Sequence, residues 1–183
     1  MNRFIQIPMT ALVAISFLFS GCSKECSRDL TGSYTYKTSG TVTLMPSQLV
    51  GLDEATLAQY RAMGISVDPV VIGLYPEQGQ LHVVEKDKDK VMVTFNDILG
   101  NADVAEGTVS GNEITFAGIS TKAAQVTDGT EKIGAGIVKY SGKGTKYEDM
   151  LVIDLVYEGL FTVSEVSMTL LSSDVHCVAQ YNK

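Results

Sequence analysis

The chain has 183 residues, of which 21 are acidic and 14 are basic, so its formal net charge is −7 at pH 7. This acidic balance argues against nucleic acid as a partner, because the phosphate backbone is bound mainly by Lys and Arg. The chain has no Trp and 17 Gly, a composition that favours strands and tight turns. The length suits one domain with a sizeable core.

The first residues indicate an export signal. A nearly uncharged apolar run extends from Phe4 to Phe19 and follows the single basic residue Arg3. The run is shorter than the roughly 20 apolar residues that span a bilayer, contains Pro8, and ends in small residues before a cysteine. These features are typical of a segment that is removed on export. We therefore predict a lipoprotein signal peptide at residues 1–21.

The predicted cleavage site is Phe19-Ser-Gly-Cys22. It resembles the lipobox of bacterial lipoproteins, in which small residues precede a cysteine that becomes the acylated first residue. The resemblance implies lipidation of Cys22 and a lipidated tether at residues 22–29. Several fatty chains would anchor the protein stably, since each buried methylene contributes roughly 0.8 kcal/mol. Ordinary secretion and an uncleaved anchor are the alternatives.

The two remaining cysteines, Cys26 and Cys177, lie near opposite ends of the mature chain. Because exported compartments are oxidising, we predict a disulfide between them. Closing so long a loop would stabilise the fold by roughly 4 to 5 kcal/mol in the chain-entropy model. Two unpaired thiols are the alternative. A zinc site fits less well, because the close Cys-x-x-x-Cys pair uses the lipidated Cys22 and no second close pair of Cys or His follows.

From Leu30 onward, short alternating runs are separated by Gly, Asn, Asp and Lys, which is the pattern of antiparallel strands joined by turns. Hairpin turns are predicted at 87–89 and 110–112. About ten strands are expected, and a meander of that number tends to close because closure removes unpaired edges. The predicted runs are 30–36, 40–45, 70–75, 80–86, 90–96, 106–109, 113–116, 132–140, 147–157, 163–171 and 175–181.

One segment, 52–63, has a helical rather than a strand pattern. Asp53 can cap its start, Ala and Leu favour its interior, and Gly64 can end it. We predict a helix of about three turns that lies over one end of a sheet or barrel. Its apolar side is expected to consist of Leu49, Leu57, Tyr60 and Met63.

Three features together carry a family resemblance: the opening strand Leu30-Thr-Gly-Ser-Tyr34 close behind Cys22, the strand-turn-strand unit 107–116, and a strand that ends at the C-terminus. With them the chain is similar to the lipocalin-like or calycin-like lipoproteins of Bacteroides and its relatives. The resemblance implies an all-β fold, in which an antiparallel meander closes into a barrel of about 8–10 strands with one short helix. It also implies a membrane anchor and room for an apolar cavity, and it implies no catalytic residue.

The tether begins with Ser23-Lys24-Glu25. This resembles the charged tag that directs such lipoproteins to the outer face of the outer membrane, and a solvated tether is the alternative. We expect a lipid-anchored protein of the outer membrane of a Gram-negative bacterium, on its periplasmic or its surface face.

No catalytic constellation is evident. The only histidines are His82 and His176, and His176 should point away from its neighbour Cys177 because adjacent strand residues face opposite sides. Asp154, in a largely apolar strand, must face water or find a partner. We expect no enzymatic activity, no cofactor and no metal. The stretch 141–145 departs from the phosphate-loop pattern and is predicted to be a β-turn.

A calcium loop is also disfavoured. Asp87 and Asp89 have the one-residue spacing of calcium ligands, but the Gly and the distal Glu of a calcium loop do not follow.

Two functions are expected for residues 30–183, the single barrel domain. The first is a binding module that holds a small apolar ligand inside the barrel. The alternative is a solid β-domain that acts as a structural or protein-interaction component of the cell envelope. A hollow interior would favour the ligand, and a filled interior with an exposed apolar patch would favour a partner protein.

Overall fold

The computed structural model describes residues 30–183. The predicted signal peptide, the tether, Cys22 and Cys26 lie outside the described residues.

The described chain is all-β, with ten strands, a short 3-10 helix and one α-helix. In chain order the elements are β1 (Gly32–Pro46), the 3-10 turn (Ser47–Leu49), α1 (Glu54–Ala62), β2 (Val70–Leu74), β3 (Gln78–Asp87), β4 (Lys90–Asp97), β5 (Ala102–Ser110), β6 (Glu113–Gly118), β7 (Lys122–Thr127), β8 (Lys132–Tyr147), β9 (Met150–Val163) and β10 (Val166–Tyr181).

All strand pairs are antiparallel, and the sheet closes on itself. Strands β3, β4, β5 and β6 are consecutive neighbours, as are β8, β9 and β10, and β10 pairs with β1. The pairs β1–β3 and β6–β8 complete a ring of eight strands. The prediction of an antiparallel all-β barrel with one short helix is confirmed.

A second ring shares four of these strands. Residues 32–37 of β1 pair with β3, whereas residues 41–44 pair with β2. Likewise residues 141–145 of β8 pair with β6, whereas residues 132–138 pair with β7. Because β2 pairs with β7, a six-stranded ring forms from β1, β2, β7, β8, β9 and β10. We call the junction where β1 and β8 change partners the fork.

Two pairs of predicted strands are joined in the structure. β1 runs through Gly40, where a Cβ atom would overlap the Asp174 carbonyl oxygen, so glycine allows close strand approach instead of a turn. β10 likewise runs through 172–174 with a register shift against β9. Their glycine and serine residues suggested breaks, whereas the neighbouring strands keep the chain extended.

The prediction of a β-turn at 141–145 is wrong, because this stretch lies inside β8. Gly142 faces the core and leaves room for the Phe116 ring, and a Cβ on Gly144 would lie 2.9 Å from Ile153 Cγ1. The glycines here accommodate large neighbours across the sheet. The sequence also gave no signal for β7, whose Lys122-Ala-Ala-Gln stretch is poor in typical strand formers.

The predicted helix is confirmed as α1. The Asp53 carboxylate accepts a hydrogen bond of 2.9 Å from Thr56 N at its start. Leu57 and Tyr60 pack against a small cluster at the end of the six-stranded ring. Met63 is mostly exposed, so its predicted place on the apolar side is wrong. Among residues 30–183, no helix has the length and apolar character needed to cross a membrane.

Candidate functional site

Three charged residues meet inside the barrel at the fork. Lys122 Nζ lies 2.6 Å from Glu77 Oε2 and 3.3 Å from Asp103 Oδ2. The Lys122 side chain is only 5% exposed, in an interior that is otherwise largely apolar. We call Lys122, Glu77 and Asp103 the fork cluster. Burying a charge is costly unless it is paired, so this cluster is the least expected feature of the core.

The crossing connections explain its position. Glu77 lies between β2 and β3, and Lys122 opens β7 directly after β6, so both lie where the chain passes from one ring to the other. The Glu77 backbone is held on β1, because Thr38 N donates to Glu77 O at 2.7 Å and Glu77 N donates to Thr38 Oγ1 at 2.9 Å. The ion pair therefore joins the two crossings beneath the fork.

Tyrosines surround the cluster. Tyr36 Oη donates a hydrogen bond of 2.6 Å to Glu77 Oε1. The Tyr140 ring centroid lies 5.7 Å from Lys122 Nζ. Tyr140 Oη is buried and has no hydrogen-bond partner among residues 30–183. The site thus has hydrogen-bonding capacity that the described chain does not use.

The electrostatics of the cluster are unbalanced. Burial by itself lowers the pKa of Lys122, but neighbouring groups, including Glu77 and Asp103, outweigh burial and hold the pKa above its usual value. Burial raises the pKa of Asp103, and Lys122 offsets only part of that shift. Two carboxylates share one ammonium group, so the charged cluster carries a net charge of −1.

The connections around the fork expose apolar side chains. Ile98 and Leu99, between β4 and β5, are 71% and 81% exposed, and Ile119, between β6 and β7, is 62% exposed. We call these three residues the apolar rim. Asp97 shapes the Ile98-Leu99 turn, because its Oδ1 accepts hydrogen bonds of 2.8 Å from the backbone N–H groups of Leu99 and Asn101.

The rim lies directly beside the cluster. Ile98 N donates to Gln78 O at 3.2 Å, and Gln78 follows Glu77 in the chain. Ile119 N donates to Val104 O at 2.9 Å, and Val104 follows Asp103. Partly buried carboxylates and exposed aliphatic side chains therefore lie at the same end of the eight-stranded ring.

The two histidines lie on different strands, β3 and β10, and each has polar neighbours. His176 is exposed, and its Nδ1 and Nε2 lie 2.7 Å from Asp154 Oδ1 and 3.2 Å from Asp174 Oδ1. Asp154 thus both faces water and has a partner. Cys177, its neighbour, points into the core, as predicted. His82 Nδ1 lies 2.9 Å from Ser33 Oγ on the outer face of two paired strands, outside the two concave surfaces described below.

Cys177 has no disulfide partner among residues 30–183, and burial of its thiol raises its pKa to about 12. Its predicted mate, Cys26, lies outside the described residues, so the disulfide stays a prediction. Within residues 30–183, no three His, Cys, Asp or Glu side chains are grouped so as to hold a metal ion.

Two concave surfaces stand out in the described part of the chain, and both lie on the outside of the sheet. One, of about 470 Å³, contains Ile137, Lys139 and Leu160. The other, of about 210 Å³, contains Lys143 and Tyr147. Their side chains point away from the core, which is one continuous cluster of packed apolar residues.

Sequence reasoning missed the fork cluster altogether. The single usable signal was the alternation in Lys122-Ala-Ala-Gln-Val126, which places Lys122 on the same face as the buried Ala124 and Val126. Glu77 and Asp103 lie in or beside turns, where charged residues are ordinarily solvated.

Comparison of the chain with models of protein families, with curated proteins and with solved structures found no match.

Proposed function

We propose that the protein is an exported, lipid-anchored β-barrel module that binds another protein of the cell envelope through its outer surface. The observation that carries this proposal is the packing of apolar side chains inside the barrel. Inward-facing side chains of both rings form one packed cluster. Where that cluster is most crowded, glycines such as Gly142 and Gly118 leave space that the Phe116 and Tyr140 rings occupy.

A small apolar ligand has less support. Ligand pockets usually enclose about 300 to 1,000 Å³ and bury most of the ligand. The concave surfaces described above are open grooves on the outside of the sheet. A ligand inside the barrel would have to displace packed core side chains, so the interaction role is the better supported of the two.

The apolar rim supports a protein partner. Ile98, Leu99 and Ile119 are all more than half exposed at one end of the ring. Neighbouring exposed apolar side chains commonly mark interaction surfaces. Asp97 fixes the backbone of the Ile98-Leu99 turn, so the two side chains are held outward before a partner binds.

The anchoring part of the proposal rests on the motif at Cys22 and on the family resemblance, which stays a prediction. We expect acylated Cys22 to hold the protein at the outer membrane of a Gram-negative bacterium, with residues 22–29 as the tether. Mass spectrometry of the N-terminal peptide should show fatty chains on Cys22, and Cys22→Ser should move the protein from the membrane to the soluble fraction. An unmodified N-terminus upstream of Cys22 would contradict the proposal.

The disulfide between Cys26 and Cys177 is the second part that mass spectrometry can decide. Proteolysis without reduction should release a linked peptide that contains both residues and disappears in Cys26→Ser. A freely alkylated Cys177 in unfolded, unreduced protein would show instead that both thiols are unpaired.

The interaction role can be tested inside cells by placing a photo-crosslinking residue at Leu99 and, as a control, at Lys88 on the opposite end. We expect one discrete adduct from position 99 and none from position 88. In parallel, native mass spectrometry of the purified protein should show no bound lipid, and a panel of apolar ligands should not raise its melting temperature. A co-purifying apolar ligand would contradict the proposal and favour the ligand-binding alternative.

A further inference from the structure

We propose that the apolar rim and the fork cluster together bind a basic side chain, Lys or Arg, that is carried on an apolar segment of the partner protein. This inference rests on the proposed function, because it specifies the chemistry of the partner at that surface.

The positions of the residues place charge and apolar surface within one short stretch. Leu99 and Asp103 belong to the same hairpin, four residues apart. The backbone contact from Ile98 to Gln78 joins the turn to the residue that follows Glu77, and the contact from Ile119 to Val104 joins the third rim residue to the residue that follows Asp103. The rim and the two carboxylates therefore lie at the same end of the eight-stranded ring.

The exposed part of the fork cluster is its acidic part. The side chains of Glu77 and Asp103 are 24% and 22% exposed, whereas that of Lys122 is 5% exposed. An approaching group thus encounters two carboxylates, with the compensating ammonium group behind them. Asp97, at the base of the Ile98-Leu99 turn, adds a further negative charge nearby.

The cluster also has unused bonding capacity. Glu77 is engaged at both oxygens, by Tyr36 at 2.6 Å and by Lys122 at 2.6 Å. Among residues 30–183, Asp103 makes only the longer contact of 3.3 Å to Lys122, and burial raises its pKa by more than Lys122 lowers it. Tyr140 Oη nearby is buried without a partner in the described residues. A second cation would form a charge-assisted hydrogen bond with Asp103.

The apolar rim determines what kind of partner segment can carry the basic side chain. Aliphatic residues on the partner would cover Ile98, Leu99 and Ile119, and a central charged contact within an apolar surround is a common arrangement of binding hot spots. A membrane surface fits less well, because bacterial membranes are rich in anionic lipids, which would repel the partly exposed carboxylates of Glu77 and Asp103 at this end of the ring. Charge complementarity therefore favours a basic protein segment.

The test uses the full chain with Cys22→Ser, which cannot be acylated there, and a phage-displayed library of random peptides as the probe. We expect enriched peptides to carry Lys or Arg next to Leu, Ile or Val. One enriched peptide is then synthesised. Calorimetry should show that Asp103→Asn and Leu99→Ser in the protein each weaken binding of this peptide by about tenfold. Val84→Ser, at an apolar position on β3 that is also more than half exposed, should leave binding unchanged.

Matched peptides separate charge from apolar contact. Replacing the basic residue by norleucine should weaken binding to the parent protein but change little for Asp103→Asn. Leu99→Ser alters only an exposed side chain, so it reports on the rim even if Asp103→Asn perturbs folding. Thermal unfolding of each variant checks that the fold is intact.

Several results would overturn the inference. Enriched peptides without basic residues, or equal binding by Asp103→Asn, would remove the charge contact. Binding that Leu160→Ser weakens and Leu99→Ser does not would place the interaction on the outer groove, and the proposed function would stand while this inference fell. Leu99-dependent binding to phosphatidylglycerol vesicles, with no peptide enriched, would assign the rim to lipid and overturn the inference.

Discussion

The two ends of the eight-stranded ring are opposite in polarity. At one end the turns Lys88-Asp89 and Gly111-Asn112 place polar residues in water over an apolar interior. At the fork, aliphatic residues lie in water and a lysine lies in the core. At the first end, polar residues are exposed and apolar residues are buried, as in most stable barrels. At the second end, apolar residues are exposed and a charged residue is buried. Departures of this kind are expected where a surface serves function.

The physical cause of the difference is the change of strand partners. At the polar end each turn joins neighbouring strands, so it can project freely. At the fork, two connections must cross from one ring to the other, and Glu77 and Lys122 bond to each other along this crossing. The ion pair fixes where the crossings lie, and the rim is presented just outside it.

The largest expected effect is at the buried lysine. Lys122→Met leaves Glu77 and Asp103 without their ammonium partner in a largely apolar interior, so we expect a loss of about 3 to 5 kcal/mol in the free energy of unfolding. Lys86→Met, which breaks the surface pair with Glu106, should cost about 1 kcal/mol or less. Urea unfolding followed by circular dichroism measures both. Similar small losses would show that the fork cluster is not buried as described.

The next prediction tests whether the barrel interior between the two ends is fully packed. Gly142→Ala places a methyl group against the Phe116 ring, and overpacking of this kind costs about 1 to 3 kcal/mol. Gly73→Ala is the matched control, because its new methyl would lie 3.5 Å from Thr127, an ordinary contact. We expect the control to change stability by about 0.5 kcal/mol or less. If Gly142→Ala is equally mild, the interior has room for a ligand.

A smaller effect, dependent on pH, compares a turn from each end. Hydrogen bonds from Asn101 hold the pKa of Asp97 below its usual value. Its contribution is therefore fully present above the usual carboxyl pKa and is lost as the pH falls through the lowered one. We expect Asp97→Ala to cost about 1 kcal/mol near neutral pH and less in strong acid. Asp89→Ala, in the opposite turn, should change unfolding in urea little at either pH, and an equal cost at both pH values for Asp97→Ala would contradict this account.

The smallest expected effect on stability is at the rim itself. Leu99→Ser changes a side chain that is 81% exposed, so the free energy of unfolding should change by about 0.5 kcal/mol or less. Retention on a hydrophobic-interaction column should nevertheless decrease, whereas Lys88→Ser at the opposite end should not decrease it. A large loss of stability in Leu99→Ser would show that the rim is part of the core.

Features that depend on neighbouring residues could be predicted. The hairpin turns at 87–89 and 110–112 and the capped helix after Asp53 follow from local conformational preferences, and the structure has all three. The joined strands could not be predicted in the same way. Gly40 and Gly142 look like turn residues in the sequence, and only the strands opposite them show that they allow close packing.

The sequence by itself determined the strand alternation and the short helix, because apolar periodicity and capping act over a few residues, and the number of predicted strands favoured closure into an antiparallel barrel. Only the tertiary structure decided that β1 and β8 change partners, that Lys122 lies inside and pairs with Glu77 and Asp103, and that an apolar rim lies at the same end of the ring. Lys122, Glu77 and Asp103 lie far apart in the chain. Whether a charged residue is buried or exposed depends on which distant segment supplies its partner. Local sequence patterns do not indicate which distant segment that is.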